Sequence, residues 1–167
     1  MVHVVVTLQL DLPLTGAAGV ECRSAGSGDS HQIIYTFERD VVSPGTASLN
    51  AGSATIAQPT IGPDSNQVTV NLSAVPNLQQ LIVILNNVTD SQGATMSNLP
   101  ARIDFLLGDT TGNRSVNSSD ISQTKSNSGI GVAAANFRTD VTINGAINSS
   151  DISLVKSKSG TGLPAAP

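Results

Sequence analysis

Asp109, Thr111, Asn113, Asn117 and Asp120 set oxygen-bearing side chains at positions 1, 3, 5, 9 and 12 of one twelve-residue stretch. Asp140, Thr142, Asn144, Asn148 and Asp151 repeat that spacing 31 residues further on. So many oxygens on one short turn of chain suit a hard cation that takes roughly six to eight oxygen ligands, and calcium fits best. The aspartates at positions 1 and 12 bring two negative charges, and the second of them can bind through both oxygens. Thr and Asn at positions 3 and 5 add neutral oxygens. Position 7, Ser115 or Ala146, needs only its backbone carbonyl. Asn117 and Asn148 at position 9 ligate directly or through water. Val116 and Ile147 at position 8 are apolar, as a residue that pins the loop onto a core must be.

The two loops depart from the standard EF-hand pattern in two ways. Position 12 is Asp where Glu is usual. Position 6, the glycine of the sharp turn, is Gly145 in the second loop but Arg114 in the first. Arg114 requires a positive φ there, at a cost of about 1 kcal/mol, and adds a cation beside the site. With two carboxylates per loop, affinities of about 10⁻⁵ to 10⁻³ M are expected, the first site weaker than the second.

The elements that must hold these residues follow from the flanks. Aligned from Asp109 and Asp140, residues 109–129 and 140–160 match at 13 of 21 positions, which marks an internal duplication. After each loop the pattern predicts a helix, over 118–128 and 149–159. Asn117 and Asn148 are the N-caps, an aspartate three residues on suits the positive helix end, and Ser-Gly forms the stop. One short helical turn is expected at 133–135. Upstream, residues 7–12, 32–37, 67–72 and 102–105 alternate with period two, and 81–85 is apolar on both faces, as a central strand is. Turn signals separate them at 13–19, 26–30, 43–45, 63–66 and 90–93. The pattern predicts a mainly β chain with a small α part: an antiparallel sandwich of seven to nine strands over 1–107, Ig-like or cohesin-like, then a calcium-loop module over 108–163 and a tail at 164–167.

Composition bounds the rest. The chain has 167 residues, 39% hydrophobic and 2% aromatic with no Trp, so its core must be built from Val, Ile, Leu and Ala. A net charge of −4, with no basic stripe, excludes a nucleic-acid partner. Four of the twelve acidic residues are the loop aspartates, and two calcium ions would bring the formal charge to about zero. No apolar run is long enough to span a bilayer, and residues 4–6 lack the flanks of a signal peptide. The single Cys22 has no partner for an internal disulfide; it is a buried thiol or an intermolecular bridge.

The calcium loops resemble those of dockerins, whose repeat is close to Asp-x-Asn-x-Asp-Gly-x-Ile/Val-Asn-x-x-Asp. The likeness covers 108–160. It is specific at positions 1, 5, 8, 9 and 12, and departs at Thr111 and Thr142, at Asn113 and Asn144, and at Arg114. It implies a compact three-helix module folded around two calcium ions that docks onto a β-sandwich partner, a cohesin. It implies that Ser118, Ser119 and Lys125, and equivalently Ser149, Ser150 and Lys156, face the partner, so that either helix can lead. The preceding stretches 11–16, 19–23, 68–72 and 107–109 resemble C-terminal modules of large secreted proteins of environmental bacteria.

An enzyme is not expected. His3 and His31 read as surface strand residues, Glu21 and Glu38 are the only glutamates, and no nucleophile motif, phosphate loop or zinc spacing is present. The expectation is a secreted, extracellular or cell-surface attachment module. The alternative is a filament subunit in which the helical unit, or an exposed apolar first strand, engages the sandwich of the next copy. A carbohydrate-binding reading would have to use Tyr35, Phe37, Phe105 and Phe137, the only aromatics.

Overall fold

A computed structural model describes residues 2–6, 8–12, 18–25 and 29–164, with the backbone alone at 2–6, 8, 9 and 11. Expectations that fell on Thr7, on 13–17, 26–28 and 165–167, or on the side chain of His3, lie outside the described residues. Thirteen strands come first: β1 Val2–Val6, β2 Leu8–Leu12, β3 Gly19–Glu21, β4 His31–Thr36, β5 Val41–Ser43, β6 Thr46–Ala51, β7 Thr55–Ile56, β8 Thr60–Ile61, β9 Gln67–Ser73, β10 Gln79–Asn86, β11 Val88–Asp90, β12 Thr95–Met96 and β13 Leu99–Phe105. One sheet runs β2-β1-β4-β9-β7, with β8 also on β9. A second runs β3-β13-β10-β6, and β12-β11-β5 form a small third.

Two expectations are corrected here. The strands outnumber seven to nine, because pieces of two or three residues are too short for an alternation to show. The unit is also not wholly antiparallel, since β3 lies parallel to β13, with Gly19 opposite Ile103 and Glu21 opposite Phe105. β1 pairs with β2 on one side and β4 on the other, which leaves β2 as the outer strand of its sheet.

The two larger sheets face one another across a single core. Ile33, Tyr35, Val68, Val70 and Leu72 come from the first, and Leu81, Val83, Leu85, Ile103 and Phe105 from the second. The core is aliphatic, as the composition required, and each such side chain fully buried contributes roughly 1.5–3 kcal/mol. Tyr35 crosses between the sheets, its hydroxyl donating to the Val83 carbonyl at 3.2 Å. His31, expected at the surface, is buried and meets the Phe105 ring edge-on at 4.6 Å.

From β13 the chain passes through Gly108 into the loop–helix repeats. Gly108 has φ +96°, and a Cβ there would press on Lys158 Cβ at 3.3 Å and Val116 Cγ1 at 3.4 Å, so the junction requires glycine. Helix α1 spans Ser118–Asn127 and α2 Ser149–Lys158, each one residue shorter than the sequence pattern suggested. Both begin with a full capping box: Asn117 with Asp120, and Asn148 with Asp151. The helical turn expected at 133–135 lies instead at Phe137–Thr139, as a 3-10 turn. Asn136 explains the shift: its side chain accepts from Ala133 N at 2.7 Å and donates to Gly131 O at 3.0 Å, folding 133–136 into a turn first. Val20, Leu106, Val116, Val141 and Val155 form a second, much smaller core.

Candidate metal centre

Each loop folds around its own aspartates in the same way. Asp109 accepts from Gly112 N at 2.9 Å and Asn113 N at 3.1 Å on Oδ1, and from Arg114 N at 2.7 Å on Oδ2. Asp140 accepts from Asn144 N at 3.1 Å and Gly145 N at 3.0 Å. Asp120 Oδ1 takes the amide and the hydroxyl of Thr111, both at 2.9 Å, and Oδ2 takes Asn117 N at 2.8 Å. Asp151 repeats this with Thr142 N, Thr142 Oγ1 and Asn148 N, at 3.0, 2.8 and 2.9 Å. Asn113 Oδ1 accepts from Ser115 N and Asn144 Oδ1 from Ala146 N, both at 2.9 Å. The duplication of sequence is thus a duplication of hydrogen-bond geometry.

The repeats also close on each other. Gly129, which ends α1, donates to Ile147 O in the second loop at 2.9 Å. Gly160, which ends α2, donates to Val116 O in the first at 2.8 Å. The position-7 residues are held extended, Ser115 bridging to Gly162 and Ala146 to Gly131. Val116 and Ile147 are buried as expected of pinning residues.

These residues fit a divalent cation. Asp109, Asp120, Asp140 and Asp151 are all buried, and no ion pair among the described residues involves any of them. Burial pushes the Asp109 carboxyl above its ordinary range, and the neighbouring charge of Asp120 adds to this, against the three loop N–H groups. Two buried like charges without a counter-charge are costly, and a bound cation would remove that cost. Among the described residues no three His, Cys, Asp or Glu come together. The other ligands of such an ion would be neutral oxygens, and the Thr hydroxyl, the Asn side-chain carbonyl and the position-7 backbone carbonyl would make a set that suits calcium.

The loops differ in strain in a way the sequence reading missed. Arg114 takes φ +70° at position 6, as expected, where Gly145 takes +82°. At position 4, however, the first loop has Gly112 at +74° and the second has Ile143 at +53°. A β-branched residue in the left-handed region is costly. Each loop therefore carries one glycine and one misfit. Only the alignment of Gly112 with Ile143 could have signalled this.

Arg114 is also used outside its loop. Its Nη1 lies 2.9 Å from Asp104 Oδ2 on β13, and its Nη2 donates to Pro164 O at 2.8 Å. Arg138 donates to Thr110 O, Asp109 O and Val20 O at 2.9, 2.9 and 2.8 Å, clamping the start of the first loop. Sequence reasoning singled out no role for Arg138. Ser118, Ser119, Lys125, Ser149, Ser150 and Lys156 are all exposed.

The family model of the dockerin type I domain matches residues 107–158. No curated protein and no solved structure matches the chain. Dockerin type I domains are non-catalytic, calcium-binding modules of protein–protein interaction, typically in extracellular or cell-surface proteins, and no helix among the described residues is long and apolar enough to cross a membrane. The chain thus carries a dockerin-like module behind an N-terminal β-rich region.

Proposed function

We propose that two calcium ions hold residues 108–163 folded and that the module attaches its polypeptide to a cohesin-type β-sandwich partner outside the cell. One observation carries this reading: the two duplicated loops fold with nearly the same bonds, and the helix that follows each leaves the same Ser-Ser and Lys set in solvent. Asp109, Thr111, Asn113, Ser115 and Asp120 would hold one ion, with Asn117 at its edge. Asp140, Thr142, Asn144, Ala146, Asp151 and Asn148 would hold the other. Calcium when bound supplies the positive charge that the four buried carboxylates lack. The chain's own residues do the rest: the capping boxes orient α1 and α2, and Ser118, Ser119 and Lys125, or Ser149, Ser150 and Lys156, offer hydroxyls and a cation to the partner.

Calorimetric titration of the full chain with calcium chloride tests the metal half. Two sites are expected, with Asp120→Ala and Asp151→Ala each removing one; no heat at millimolar calcium would sink the reading. The aromatics speak against a sugar platform. Tyr35 and Phe105 are buried, Phe37 packs on the core and Phe137 lies under Arg23.

A further inference from the structure

Residues 20–24 belong to the β-rich region by sequence, and Val20 and Glu21 pair with β13, yet every one of the five except Glu21 also makes a contact in the calcium module. Val20 is the one side chain of that segment in a hydrophobic core, and the core is the module's, with Leu106, Val116, Val141 and Val155. Its carbonyl accepts from Arg138 Nη1. Glu21 O accepts from Leu106 N at 3.0 Å, and Cys22 O from Gly108 N at 2.9 Å, just before the first loop. The Cys22 thiol reaches Arg138 O at 3.4 Å. Ser24 N donates to Val141 O, inside the second loop, at 2.7 Å.

Arg23 completes the set. Three of its N–H groups, including the backbone amide, reach the buried Glu21 carboxylate at 2.9 Å, and its guanidinium lies 4.7 Å from the centre of the Phe137 ring. The Asp104–Arg114 ion pair makes a second bolt from β13 to the first loop. Two of the five side chains buried in the module's core, Val20 and Leu106, come from outside residues 108–163, so that core is not complete without the β-rich region. The segment that completes this core is hydrogen-bonded into the sandwich as β3.

We propose that residues 20–24 make the sandwich and the calcium module a single folding unit, so that calcium in the loops stabilises the sandwich core some distance away. The coupling rests on the calcium reading above, but it makes a separate claim. Metal that binds only the folded module stabilises everything that must unfold with it. It leaves untouched anything that unfolds separately.

The chain carries its own reporter. Tyr35 is the single tyrosine, there is no Trp, and Tyr35 is buried between the two large sheets away from both loops. The test is thermal unfolding of the full chain followed by Tyr35 fluorescence, in about 10 mM calcium chloride and in EDTA, beside a calorimetric titration of the same protein. The Tyr35 midpoint should rise by roughly 5–10 °C in calcium. Asp151→Ala should reduce that rise. Because a loop variant can fail to fold, amide exchange of the wild-type chain gives a second reading: Ser24, Leu106 and Gly108 should slow on calcium addition together with amides of β10. An unchanged Tyr35 midpoint while calorimetry records calcium binding would overturn the coupling alone. No binding by calorimetry would overturn the calcium reading and the coupling with it.

Discussion

At the scale of single residues, the loops are balanced by complementary faults. Arg114 occupies a glycine position in one loop and Ile143 a left-handed position in the other. Arg114 recovers part of its cost through Asp104 and Pro164 O, whereas no polar bond is open to an isoleucine side chain. Ile143→Asn, which tolerates positive φ, should therefore stabilise the chain by about 1 kcal/mol, seen as a higher melting midpoint in EDTA and tighter calcium binding at the second site. His31 gives a second residue-scale prediction. Burial holds its imidazole below the ordinary 6.5, although Glu21 and Asp29 pull the other way. The unfolded chain then takes up a proton before the folded one, so stability falls as pH drops through about 6.5. His31→Gln should flatten that fall in denaturation midpoints compared between pH 7.5 and pH 5.5. Arg114 was legible in advance because position 6 has a known geometric duty. Ile143 was not, because position 4 has none in the pattern, and the burial of His31 depends on Phe105, 74 residues away along the chain.

Among the elements, the two helices are equal in their caps and unequal in what they bury. α1 places Thr124 inward and α2 Val155, at matching positions. The Thr124 hydroxyl is turned back to Asp120 O at 2.8 Å, so α1 contributes little apolar surface there. The module's core therefore leans on α2. Val155→Ala should cost about 2–3 kcal/mol, and Thr124→Val should cost far less or stabilise, by denaturation in saturating calcium. Helix ends and caps were readable to within a residue, since Asn, Asp and Gly act locally. The longer strands β4, β9 and β13 were readable from alternation, and β10 from its unbroken apolar run. What escaped was pairing: that β3 would join β13 in parallel, and that β5, β7, β8, β11 and β12 would exist at all. Those strands are held by partners distant in the chain, and two or three residues carry no period of their own.

For the whole molecule, the question is which surfaces stay free once the module is bolted to the sandwich. The bolts use the start of each loop, the 137–139 turn and Arg114, all on the side facing residues 20–24 and β13. All six Ser and Lys residues named from the dockerin resemblance are exposed. The contacts with residues 20–24 and β13 thus leave these six residues uncovered. If the two faces are equivalent, a partner engaging one leaves the other idle, and damage to one should be nearly silent. Ser118→Asp with Ser119→Asp should change affinity for a cohesin-type partner only about twofold, the statistical loss of one of two orientations. The same pair of changes at Ser149 and Ser150 should do likewise. All four together should abolish binding while leaving calcium titration and the Tyr35 transition intact. Surface plasmon resonance against a panel of cohesin-type domains reads this directly. Complete loss from one pair alone would mean that a single helix leads.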